Sequence, residues 1–232
     1  MKTRITIVLL ISIFAFSACS SDNKKQGEGD EVAVSADDEQ GKASENGRYG
    51  IRSGMYTSKT TQTGAPAEMD IKTIVYFDAY GEDELTETVT KISVAGYNNE
   101  TRAYSLRKGM MMYSWNDGQT TGTKMDISTM MDKNMNYEAL SEDMKKQFNY
   151  KEIGNETILG KKCKKISMEM EQGAKVEVST WKGIPMKSVA NMMGITATIE
   201  VTDIQENPSG VADKLAVPKG ITFSELTYPA GK

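Results

Sequence analysis

The chain has 232 residues, 38% of them hydrophobic and 26% charged, with a mean hydropathy of -0.48 and no histidine. That make-up fits one ordinary domain with appendages, and it excludes a bundle of membrane-spanning helices and any site built on imidazole. The 28 basic residues face 32 acidic ones; loss of Lys2 and Arg4 with an N-terminal signal leaves 26 against 32, a charge of -6, which argues against nucleic acid as a partner.

Lys2 and Arg4 precede an apolar run over 5–16, and Ser17-Ala18-Cys19 follows. A charged start, a greasy stretch and a small-residue site make a secretory signal over 1–18, too short for a stable spanning helix. Phe16-Ser17-Ala18-Cys19 resembles the lipobox of bacterial lipoproteins, with phenylalanine where leucine is commoner. The resemblance implies that Cys19 is acylated and becomes the first mature residue. Several acyl chains hold far more firmly than one, at about 0.8 kcal/mol per buried methylene. The expected location is the cell envelope, lipid-anchored, in the outer membrane on its periplasmic face or at the surface. Two cysteines in an exported protein ordinarily suggest a disulfide, but a lipid on Cys19 leaves Cys163 without a partner.

Residues 20–48 carry almost no large apolar side chain, and 26–41 hold six acids and no base. Such a segment cannot bury enough surface to fold. It reads as a flexible acidic tether over 19–48, with the domain occupying 49–232. Beyond Tyr49, the stretches 51–60, 69–78, 84–94, 101–107, 110–115 and 121–127 read as strands, separated by glycine, proline and asparagine breaks about every ten residues. Tyr137, Leu140, Met144 and Phe148 then recur at helical spacing. Acids lead and lysines trail, which predicts one amphipathic helix over 136–148.

From 158 to 204 the period returns to two. Ile166, Met168 and Met170 alternate with polar residues, Val176 and Val178 do likewise, and Ile195, Ala197, Ile199 and Val201 continue the pattern. Gly173, Gly183 to Pro185 and Gly194 mark hairpin turns, so the strands form an antiparallel meander. Cys163 breaks the parity: either its thiol lies on the polar face, or a bulge near Lys164 resets the register. The last segment, 211–226, reads as packed chain.

Together these readings predict a mainly β fold, an antiparallel sheet with the amphipathic helix lying on its apolar face. A lipoprotein start, a helix ahead of Ile158-Leu159-Gly160-Lys161-Lys162-Cys163-Lys164-Lys165, then Trp181-Lys182-Gly183-Ile184-Pro185-Met186-Lys187 and Val217-Pro218-Lys219-Gly220-Ile221 resemble the LolA/LolB-like lipoprotein-carrier half-barrels. The likeness covers 49–223 and is most like the secreted lipoproteins of Bacteroidetes. It implies that the antiparallel sheet is curved into a half-barrel with the amphipathic helix covering its concave face, and that a hydrophobic ligand, such as a lipid or acyl chain, is held between sheet and helix. The residues placed to line that cavity are Tyr137, Leu140, Met144, Phe148, Ile166, Met168, Met170, Val176, Val178, Ile195, Ile199 and Val201.

The 16 methionines could hold Cu(I) through thioethers, but adaptable apolar lining is the simpler reading where no histidine completes a site. No nucleophile elbow, P-loop, Cys-x-x-Cys or histidine-based triad is present, so no enzyme, cofactor or metal is expected. Lysines 161, 162, 164 and 165 could meet anionic head groups or simply flank a hairpin. The expected function is a non-enzymatic, membrane-anchored module that binds a hydrophobic ligand; the alternative is an interaction scaffold with a filled core.

Overall fold

In a computed structural model, the structure describes residues 47–226 apart from 65–67, 95–96, 129–135, 139, 170–173 and 193. Threonine, valine and isoleucine recur on alternate positions of the chain, and the described residues form twelve strands. They are β1 Gly54–Thr63, β2 Glu68–Asp78, β3 Asp83–Val94, β4 Tyr97–Lys108, β5 Met111–Asn116, β6 Thr121–Asp126, β7 Lys151–Ile158, β8 Lys161–Glu169, β9 Lys175–Trp181, β10 Ile184–Met192, β11 Ile195–Glu206 and β12 Thr222–Glu225. Among the described residues, two short α-helices accompany them, α1 Glu142–Gln147 and α2 Val211–Lys214.

All twelve strands form one open, curved sheet in the order β12-β6-β5-β4-β3-β2-β1-β11-β10-β9-β8-β7. The N-terminal strands and the later meander are thus halves of a single sheet, zipped along β1 and β11. The expected mainly β sheet with a small helical cover is what the chain forms. Its one departure from an antiparallel meander is the parallel pair of β12 with β6, made possible by the long return through α2. Register shifts at Thr57/Ser58, Pro185/Lys187 and Glu152/Gly154 mark bulges, the device that bends and twists a sheet. Two-residue loops at Leu159-Gly160 and Lys182-Gly183 have positive φ at both positions, as tight hairpins between right-twisted strands require.

The predicted helix is shorter than its apolar spacing suggested. Ser141 accepts a hydrogen bond from the Met144 amide and caps the helix there, and Asn149 turns left-handed beyond Phe148. Tyr137 and Leu140 therefore lie ahead of the helix, yet Leu140 and Phe148 still bury against Ile166, Met168, Val176 and Val178. The strand β7 went unread in the sequence because its residues, Lys-Glu-Ile-Gly-Asn-Glu-Thr-Ile, are mostly polar and exposed, as suits the outermost strand of a sheet.

Cys163 is resolved in a third way. The pairing of β8 with β9 is continuous from Lys164 to Glu169, and the nearby bulge sits in β7 at Glu152/Gly154 and not near Lys164. The thiol lies on no polar surface: Cys163 is buried with Ile158, Trp181, Ile184 and Met186 in the apolar cluster that also holds Tyr56, Val75 and Phe77. Burial pushes its pKa up to about 11.

Candidate functional site

Strand registers let each face be followed across the sheet. On the face that carries α1, hereafter the lid face, β8 to β10 are closed by Leu140 and Phe148. On the back face, β2 to β5 are closed by α2 and β12: Val211 and Leu215 bury against Leu85 and Leu106, and Phe223 meets Tyr113 and Trp115 edge-on. Among the described residues, two half-faces have no helix over them, and their chemistry differs.

The back face of the meander and its neighbours is a lattice of cross-strand ion pairs, Lys165 with Glu177, Lys187 with Glu200 and Lys59 with Asp70, continued by Arg102 with Glu87 and Lys91 with Glu100. Such exposed pairs contribute little stability and suit a water-facing surface. The lid face of β1 to β6 is built otherwise. Its ladder reads Ser58, Thr60 and Gln62 on β1, Ile71, Thr73 and Val75 on β2, Thr86, Thr88, Thr90 and Ile92 on β3, and Thr101, Ala103 and Ser105 on β4. Met112 and Ser114 follow on β5, with Met125 and Thr123 opposite on β6. Among the described residues of this half-face, the only charges are Glu84 and Arg107, which are partners in the β3–β4 register. Ser58 and Thr90 are only 3% and 2% exposed. Hydroxyls, methyl groups and thioethers thus line a surface that is neither a hydrocarbon core nor a charged exterior.

One end of this surface is polar and buried. The segment 47–53 crosses it, held by Tyr49 N–H to Tyr80 O at 3.0 Å, Gly50 N–H to Lys182 O at 2.8 Å and Asn207 N–H to Ser53 O at 2.9 Å. A side chain on Gly47 would strike Tyr80, which explains glycine at the crossing. Arg48 Nη1 lies 3.2 Å from Glu84 Oε2, and the Tyr49 hydroxyl donates to the same oxygen at 2.5 Å. Arg48, which the sequence reading left to the tether, therefore belongs to the folded domain. Arg107, 3% exposed, donates from Nε to the Gly109 carbonyl at 2.8 Å. Burial opposes the Arg48 charge, but Glu84, Tyr49 and Tyr56 more than offset it and hold its pKa above that of an ordinary arginine. Burial, then repulsion from Arg48, lowers the Arg107 pKa. Burial raises the hydroxyl pKa of Tyr49, Tyr56 and Tyr137, so all three stay protonated. Phe77 closes the group from below, with Tyr49 edge-on at 4.6 Å.

The residues placed in a ligand cavity from sequence fall in three places. Leu140, Phe148, Ile166, Met168, Val176 and Val178 form one close cluster, with Tyr137 and Met144 packed at its margin. Val201 belongs to the cluster around Phe77, and Ile199 and Ile195 continue the lid face outward, Ile195 being exposed. Met170 and Cys19 lie outside the described residues. Sequence reasoning missed Arg48, Glu84, Tyr49 and Arg107. The signal available was Arg48-Tyr49 at the junction of tether and domain and the even-numbered threonines of β3, which place Glu84 on the same face. Of the four hairpin lysines, Lys161 pairs with Glu206 at 2.6 Å, Lys164 with Glu152 and Lys165 with Glu177, so this cluster is largely neutralised. Among the described residues no group of three or more His, Cys, Asp or Glu could hold a metal ion, and no helix is long and apolar enough to cross a membrane.

No protein-family model and no curated protein matches the chain. Solved structures do. An uncharacterized conserved protein of Thermus thermophilus matches with a TM-score of 0.47 at 9% identity, covering 75% of this chain and 91% of that one. The Pseudomonas aeruginosa MucA/MucB complex matches with a TM-score of 0.45 at 11% identity, covering 78% of this chain and 62% of that one. A Vibrio parahaemolyticus domain provisionally described as outer membrane lipoprotein-sorting matches with a TM-score of 0.27 at 9% identity, covering 70% and 88%. None of these three comes from Bacteroidetes, so that part of the resemblance gains no support here. At such identities and TM-scores these likenesses carry no conclusion about the family or the role of this chain.

Proposed function

We propose that the protein is a non-enzymatic, lipid-anchored envelope protein that holds a hydrophobic ligand, a lipid or acyl chain, on the lid face of β1 to β6. One observation carries the reading: this half-face is uncharged except at one end, while the ion pairs that solubilise the rest of the sheet stand on the back face. Ile71, Ile92 and Ile199 supply apolar contact, and the threonine rows present methyl groups with hydroxyls that can serve a ligand's polar atoms. The cluster under α1 is closed by its own side chains and is assigned to stability rather than to binding. Cys19 supplies the anchor and 20–46 the reach.

Uptake of an environment-sensitive fatty-acid probe by the soluble chain beginning at Ser20 tests this. Thr88→Trp, which fills the middle of the face, should abolish uptake and shift the melting temperature by only a few degrees, whereas Thr198→Trp on the back face should leave uptake intact. Equal uptake by both variants would refute the placement.

A further inference from the structure

At the polar end of the lid face, Glu84 stands between two arginines. Glu84 pairs with Arg48 at 3.2 Å, accepts from Tyr49, and stands opposite Arg107 in the β3–β4 register. Arg48 Nε is buried and has no hydrogen-bond acceptor among the described residues, and the Arg48 side chain as a whole keeps 19% of its surface. A buried guanidinium N–H without an acceptor is costly, and buried charge is normally balanced. Tyr56 and Tyr137, both held neutral by burial, add hydroxyls beside the arginine. A binding surface that is hydroxylic and aliphatic along its length and cationic at one end fits an amphiphile with a head of the opposite sign.

We infer that the Arg48–Tyr49–Tyr56 end of the lid face is a recognition site for the anionic head, a carboxylate or a phosphate monoester, of a single-chain lipid whose tail runs along β2 and β3 toward Ile71. The inference rests on the ligand-binding reading above and adds the class of ligand. The path from Phe77 to Ile71 along β2 is about 20 Å at about 3.3 Å per residue, enough for a long acyl chain. The Arg48 fork can donate two N–H groups to two oxygens of such a head in one plane.

Chain-matched probes test the head separately from the tail. Palmitate, hexadecyl phosphate, hexadecanol and hexadecyltrimethylammonium are titrated, below their aggregation thresholds, against the soluble chain beginning at Ser20. Both anions should bind at least about tenfold tighter than hexadecanol, and the cation weakest. The stronger of the two anions identifies which head the site prefers. Arg48→Gln should bring the ratio of anion to alcohol affinity to near one, and Arg48→Lys should restore part of it. Equal binding of palmitate and hexadecanol by the unaltered chain overturns the head site while leaving the hydrophobic reading standing. A ratio unchanged in Arg48→Gln also overturns it. Binding of none of the four probes removes the underlying reading as well. The comparison of heads on the unaltered chain decides the matter even where Arg48→Gln fails to fold.

Discussion

Met168 is 1% exposed and is buried in the apolar cluster with Leu140, Phe148, Ile166, Val176 and Val178. Placing a carboxylate there, as in Met168→Glu, tests whether this part of the molecule is dry core. An unpaired buried carboxylate does not stay charged; its pKa rises from about 4.3 toward about 8 to 9. The folded state then keeps a proton that the unfolded chain has released, so the unfolded chain binds fewer protons and stability falls as pH rises between those two values. The loss relative to the unaltered protein should grow by up to about 1.4 kcal/mol per pH unit over that window. Below pH 4.5 the residual cost is that of a neutral polar group in a packed site, about 1 to 3 kcal/mol. Urea unfolding followed by tryptophan fluorescence, run on both proteins from pH 4.5 to 7.5, reads this directly. A stability difference that is flat with pH and under about 1 kcal/mol would mean that solvent or a replaceable ligand reaches Met168, and the assignment of this cluster to the core would be wrong.

Three further outcomes follow from the same geometry. Cys19→Ala should move the protein from the membrane fraction to the soluble fraction; fractionation like the unaltered chain would remove the anchor. A chain beginning at Gly47 should match the stability of one beginning at Ser20, but a chain beginning at Tyr49, which lacks the Arg48–Glu84 pair, should lose about 1 to 3 kcal/mol, and equal melting of all three would show that the pair contributes nothing. In a chain beginning at Gly47, Cys163 is the only thiol, and burial with a pKa pushed up to about 11 should leave it inert to a thiol reagent at pH 8 until urea unfolds the sheet. Because the folded thiol holds its proton longer than the unfolded one, stability should be full below about pH 8.5 and fall as pH rises toward 11.

The strands were legible where side chains alternate and turns are punctuated, as in β1 to β6 and β8 to β11. They were not legible at the edges: β7 is polar on both faces, and four-residue β12 pairs in parallel through a connection that no local pattern announces. The helix was legible from its stripe but not its length, because Ser141 and Asn149 end it and the stripe goes on without it. The meander's apolar faces were read as a surplus needing a ligand, and Leu140 and Phe148 instead close part of them. The polar end of the lid face was the least legible, since Arg48, Glu84 and Arg107 lie 36 and 23 positions apart and only the registers of β1 to β4, with the crossing segment 47–53, bring them together.

The claim that β1 to β6 carry the ligand on their lid face is tested most directly by photo-crosslinking with a diazirine-bearing fatty acid and mapping the modified residues by mass spectrometry. Labels are expected on alternate residues of β1 to β4, such as Ile71, Thr73, Thr88 and Ser105, competed away by unlabelled palmitate. Competable labels confined to Leu140, Phe148 and Met168, or to the ion-paired back face, would contradict it.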